Sequence, residues 1–191
     1  MVLLRCIVEG AARFISPPPQ PTIECADRKL PYISELPKYD TSNEKIQFRI
    51  LRLHPDIEDY RLLYIAETLD KKQIIVKFTR RYSIDLHALC AGCGQAAPGI
   101  LGCGKLPGGW SAVAMDYISP PVHPSQSSNL TYLCGKWIDD LEKLMQSFHE
   151  YGFVHGDLRE PNILCDGETA MLIDFDWGGK VGDSEAYNTI A

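Results

Sequence analysis

The chain of 191 residues has no apolar run near the roughly 20 residues a membrane-spanning helix needs, so no membrane partner is expected. It has no excess of basic charge. Its 25 acidic and 19 basic side chains leave a formal charge of −6, which argues against nonspecific nucleic-acid binding. Where basic residues do cluster, at Lys71-Lys72 and Arg80-Arg81, a solvated turn is the expected setting. There is no cysteine framework either. The seven cysteines are odd in number, and Cys90 and Cys93 share a CxxC spacing without the second pair or nearby histidines of a zinc site. Reduced, partly buried thiols in a cytoplasmic protein are expected instead. The first 15 residues are apolar but interrupted by Arg5, Glu9 and Arg13, unlike the unbroken core of a secretory signal. No internal repeat is present.

What remains is the composition of a globular protein, 45% hydrophobic and 23% charged. Pro17-Pro18-Pro19 and Pro21 close a short helical or disordered leader. Residues 22–44 lack periodicity, so 1–45 reads as an irregular extension. From Ile46 the pattern alternates. Strands are expected over 46–53, 60–68 and 73–78, joined by short turns as an antiparallel meander. A helix over 83–91, with Ser83 as its cap, places Leu86, Leu89 and Cys90 on one face. Strands follow at 100–104 and 110–118, then a loop at 124–128. Leu133, Trp137, Leu141, Leu144, Met145 and Phe148 recur at helical spacing, predicting one long helix over 130–151 that Gly152 stops. Residues 163–165 and 171–173 form a hairpin. The fold class is α+β.

The segment His155-Gly156-Asp157-Leu158-Arg159-Glu160-Pro161-Asn162 is the most informative stretch. Asp174-Phe175-Asp176 begins twelve residues after its Asn, behind the apolar Met171-Leu172-Ile173. An Asp and an Asn five apart, then a second Asp after a short strand, supply what phosphoryl transfer from Mg-ATP requires. One carboxylate accepts or orients the acceptor's proton, while an amide and another carboxylate hold the metal.

This order of elements and motifs resembles the protein-kinase-like fold over about residues 46–180. The implied arrangement is a small antiparallel sheet over 46–118 followed by a partial helical lobe over 119–191. Gly after the His is common in aminoglycoside phosphotransferases, choline-kinase-like enzymes and atypical protein kinases. The resemblance implies that Asp157 is the catalytic base and that Arg159 contacts the transferred phosphate. Asn162 and Asp174 would ligate Mg2+, with ATP as the phosphate donor. Lys77, at the end of Ile74-Ile75-Val76-Lys77, resembles the strand lysine that grips the α- and β-phosphates. Its implied partner is Asp85, which could equally be a helix-start acid. Ala114-Met115-Asp116-Tyr117-Ile118 resembles the hinge, with Met115 as gatekeeper and the backbones of Asp116 and Ile118 facing adenine. The acceptor is a hydroxyl on a protein or a small molecule, an atypical protein kinase being preferred.

Three departures from the family pattern stand out. Residues 46–67 contain no glycine, and His54-Pro55-Asp56 sits where a glycine-rich turn would cover the phosphates. Asp176 replaces the usual Gly after Asp-Phe. Only seventeen residues follow Asp174, where the resemblance implies several more helices. The chain therefore reads as C-terminally truncated, with Trp137 expected to be partly exposed and a non-catalytic pseudokinase as the rival reading.

Overall fold

A computed structural model describes residues 31–41, 43–55, 61–119, 123, 130–166 and 169–182, with the side chains at 130–135 and 166 excepted. The expected leader over 1–15, the loop at 124–128 and the side chain of Leu133 lie outside the described residues.

Ten strands and two α-helices are described. The strands are β1 (Glu35–Pro37), β2 (Lys45–Leu53), β3 (Leu62–Thr68), β4 (Gln73–Thr79), β5 (Ile100–Leu106), β6 (Trp110–Asp116), β7 (Phe153–Val154), β8 (Ile163–Asp166), β9 (Thr169–Leu172) and β10 (Gly179–Lys180). The helices are α1 (Ile84–Gly92), between β4 and β5, and α2 (Leu130–Glu150), between β6 and β7.

Strands β1 to β6 form one antiparallel sheet in the order β1-β2-β3-β4-β6-β5. The meander follows from alternation. Ile74, Val76 and Phe78 of β4 join Tyr64 and Ala66 of β3 in one core on one face of the sheet. Ile75 turns to the other face, beside Ile65, Val113 and Met115. Lys77 shares that second face, opposite Leu63 on one side and Val113 on the other. Period two thus delivers a lysine to the face that meets the rest of the molecule.

The segment read as an irregular approach contributes a strand. β1 pairs with β2, and beyond it Lys38 bridges Gly102 of β5. The two edges of the sheet therefore meet, and a boundary at 45/46 would cut through this closure. Gly102 is what allows it, because a Cβ there would lie 2.7 Å from the Pro37 carbonyl oxygen.

A second core forms where α1, α2 and the segment after β9 converge. Leu86 and Cys90 of α1 pack with Leu144 and Phe148 of α2 and with Leu172 and Phe175. Leu86 and Cys90 are fully buried, as the predicted face requires, and Leu89 is half-buried. Ser83 stands at the helix start, but its side chain makes no capping bond. Its amide instead donates to the Phe175 carbonyl at 3.0 Å. Helix α2 ends at Glu150, and Gly152, two residues on, has a left-handed φ of 75°. Trp137, expected to be partly exposed, is buried, because the β8–β9 hairpin covers it with Cys165 and Ala170. Ile138, about 100° further round the helix, is exposed.

Candidate active site

The segment 155–162 runs between β7 and β8, and the segment 173–178 follows β9. Backbone bonds tie the two together. The Ile173 amide donates to the Asn162 carbonyl at 3.0 Å, and His155 Nε2–H donates to the Ile173 carbonyl at 3.1 Å. His155 is buried, and burial holds its pKa below the usual imidazole value. A neutral ring with the proton on Nε2 is the form this carbonyl selects.

Asp157 is bracketed by two residues of its own loop. Asn162 Nδ2 donates to its carboxylate and to its backbone carbonyl, both at 2.8 Å. Arg159 Nε lies 3.0 Å from the other carboxylate oxygen. A carboxylate offers about four lone-pair sites, so these contacts orient Asp157 and still leave it able to accept a proton. Asn162 spends its amide nitrogen on Asp157, which leaves Oδ1 as the atom it could offer to a ligand. Arg159 therefore sits on Asp157 and is half-exposed.

The geometry at Gly156 explains the absence of a larger residue there. Its φ is 79°, and a Cβ would fall 2.4 Å from the Trp177 carbonyl oxygen. The loops 155–162 and 173–178 touch at this point, with no room for a side chain at Gly156.

Asp174 is the centre of an ion network. Lys77 Nζ is 2.5 Å from its Oδ1, and Arg61 Nη1 is 2.7 Å from its Oδ2. Asp174 holds φ 67°, ψ 65°, a left-handed conformation that Asp tolerates better than most side chains. Burial alone would raise the Asp174 pKa, but Lys77 and then Arg61 outweigh it, so the carboxyl stays below its usual range. Asp176 lies 2.7 Å from Lys77. Its burial is only partly offset by Lys77, and the neighbouring Asp174 adds repulsion, so its carboxyl is pushed up.

Asp85 is not the partner of Lys77. It lies in the first turn of α1 and is exposed, because Leu86 and His87 take the inward face. There it has the helix-start setting that favours an acid. The carboxylates on Lys77 are Asp174 and Asp176, both from the loop after β9. Two residues absent from the sequence reading, Asp176 as that second partner and Arg61, are therefore part of the site. A carboxylate two residues after the metal-ligand candidate was a usable signal for the first. Arg61 offered none, since an arginine before a strand is ordinary.

The hinge segment lies at the end of β6. Met115 is buried against Ile75 and Ile65, while Asp116 and Ile118 are half-buried. The Asp116 amide donates to the Gly99 carbonyl at 2.9 Å. Its side chain pairs with Lys72 at 2.7 Å. Behind the site His87 stacks on Phe175 at 4.6 Å and 12°. Its Nε2–H donates to the Pro98 carbonyl at 2.7 Å, and Tyr82 O–H donates to Nδ1 at 2.8 Å. Two concavities of about 450 and 480 Å3 lie elsewhere, on the outer parts of the sheet, and neither is lined by a residue of this network.

No family model and no curated protein matches the chain. Among solved structures, the kinase PK-1 of Cydia pomonella granulovirus is similar in fold, with a TM-score of 0.58 and 21% identity, over 71% of this chain and 55% of that one. This chain thus spans about half the length of that viral kinase. The likeness, together with the antiparallel sheet and the loops described above, shows that the chain has a protein-kinase-like α+β fold.

Proposed function

We propose that the chain is an ATP- and Mg2+-dependent phosphotransferase acting on a hydroxyl group, built as an N-terminal sheet lobe and a partial C-terminal lobe. The observation that carries this reading is the convergence of Lys77, Asp174 and the pair Asp157 and Asn162 from three separate segments, with Lys77 on Asp174 and Asn162 on Asp157. Asp157 would accept the hydroxyl proton, oriented by Asn162 and Arg159. Lys77 would hold the phosphates, and Met115 with the carbonyl of Asp116 and the backbone of Ile118 would seat the adenine. The donor set fits a hard divalent cation: Asp174 is held ionised, and Asn162 offers an amide oxygen. Mg2+ commonly takes one or two carboxylates and completes its shell with phosphate oxygens. Among the described residues no group of three or more His, Cys, Asp or Glu could hold a metal, so such a site would be shared with the nucleotide. When bound, the ion neutralises phosphate charge.

An atypical protein kinase acting on Ser or Thr is the preferred substrate reading, with a small-molecule alcohol as the alternative. The pairing of both Asp174 oxygens with the protein's own cations favours a second reading, a non-catalytic binding module. Labelled ATP and Mg2+ separate the two. Phosphate transfer or slow hydrolysis should be seen for wild type and lost in Asp157→Ala, and identical behaviour of the two proteins would sink the enzyme reading.

A further inference from the structure

We propose that Tyr82 is the positioning residue of Lys77, holding the ammonium with its ring face where a helix carboxylate was expected. The inference rests on the nucleotide-binding reading above and names what keeps the lysine in place while phosphates are bound. Lys77 Nζ lies 5.5 Å from the centroid of the Tyr82 ring, within the roughly 6 Å over which a ring face attracts a cation. The link between β4 and α1 brings Tyr82 to the second face of the sheet, against the cluster of Ile65, Ile75, Val113 and Met115. Tyr82 also packs against the core of Leu86, Cys90 and Phe175, so it joins the two cores beside the lysine.

Other contacts fix the ring. Its hydroxyl donates to His87 Nδ1, and the Pro98 carbonyl on Nε2–H holds His87 in the tautomer that accepts. Its edge meets Phe175, with centroids 6.2 Å apart. Burial above all, with Asp176 and Asp174 adding, pushes the Tyr82 hydroxyl well above its ordinary pKa, so it keeps the proton it donates. A lysine stem is flexible, and a fixed ring face limits where its ammonium can go. The carboxylates on Lys77 cannot serve in the same way. Both come from the loop after β9, and one of them, Asp174, is the residue given to the metal. The ring belongs to a different segment and stays when a cation takes Asp174. It also adds no charge, whereas a third carboxylate would add repulsion to Asp174 and Asp176.

The test uses the full chain with Tyr82→Phe, and with mono-, di- and trifluorinated phenylalanine at the same position. Fluorine drains the ring face of negative charge while nearly keeping its shape. Taking Tyr82→Phe as the reference cancels the lost bond to His87. Calorimetry reads Mg-ATP and adenosine binding. Mg-ATP affinity should fall with each fluorine, to roughly three- to fivefold below the reference at three, with adenosine unchanged. A ring that only fills space would give a flat series. Such a flat series, or a matching loss of adenosine, overturns the inference and leaves the nucleotide-binding reading standing. If wild type melts cooperatively yet binds neither adenosine nor Mg-ATP, the nucleotide-binding reading fails and takes the inference with it. The series has nearly one shape, so its members should fold alike, and coincident melting curves verify this. Should Tyr82→Phe not fold, fluorinated tyrosines, which keep the hydroxyl, give the same comparison against wild type.

Discussion

Gly156 shows how a single residue can be decided by a neighbour's backbone. A left-handed φ costs an L-residue roughly 1–2 kcal/mol, and the overlap with the Trp177 carbonyl adds to it. Gly156→Ala should therefore lower stability by about 2 kcal/mol or more, read as a lower urea midpoint at unchanged slope. An unchanged midpoint would mean that the two loops do not touch as described. Asp174 carries the same backbone strain but keeps its side chain, because that side chain binds two cations. Strain retained at a residue with such contacts is the pattern of a functional position.

At the scale of the element, α1 acts on the site through His87 rather than through Asp85. The ring of His87 links the helix to Phe175, to Pro98 and to Tyr82. Burial pulls its pKa from the ordinary 6.5 to about 4. The unfolded chain then takes up a proton near pH 6.5 while the folded chain does not. Stability is complete above about 6.5 and falls as pH drops toward 4, by about 3 kcal/mol at roughly 1.4 kcal/mol per unit. His155, whose pKa is also lowered, contributes in the same direction. Asp176, whose pKa is raised, contributes oppositely, its stabilisation being lost as pH rises through its folded value. The difference between wild type and His87→Gln isolates the His87 part. Urea melts from pH 7 to 4 should show a shallower loss for the variant, and parallel curves would refute the assignment.

For the whole molecule, the closed sheet matters as the platform that holds Lys77. β1 joins the two sheet edges, with the Phe48 amide on the Ser34 carbonyl at 2.8 Å and the Tyr39 amide on the Leu101 carbonyl at 3.3 Å. Gly102→Ala would push a methyl against Pro37. Hydrogen exchange should then show lost protection at Phe48 and Tyr39 first, and a lower melting temperature, with β3 and β4 still protected. Uniform loss across the sheet would show instead that β1 is not a separable seam.

The strands and the long helix were legible in the sequence, because each rests on spacing within one segment. Alternation marks β2, β3 and β4, and the recurrence of Trp137, Leu141, Leu144 and Phe148 marks α2. The Asp and Asn five apart in residues 157–162 do meet, the amide of Asn162 donating to Asp157. β1 was missed because its three residues, Glu35, Leu36 and Pro37, are too few to show a period, and a distant edge strand completes them. Asp85 was expected as the partner of Lys77 because the resemblance places that acid on the following helix, and its alternative setting as a helix-start acid is the one it has. The real contacts are with Asp174, 97 residues on, and Asp176 beyond it. Which groups carry charge was thus settled by the residues themselves. Which charges meet was decided only by the tertiary structure, because a buried lysine must be neutralised by whichever carboxylates the packing of α1 over Phe175 brings within reach.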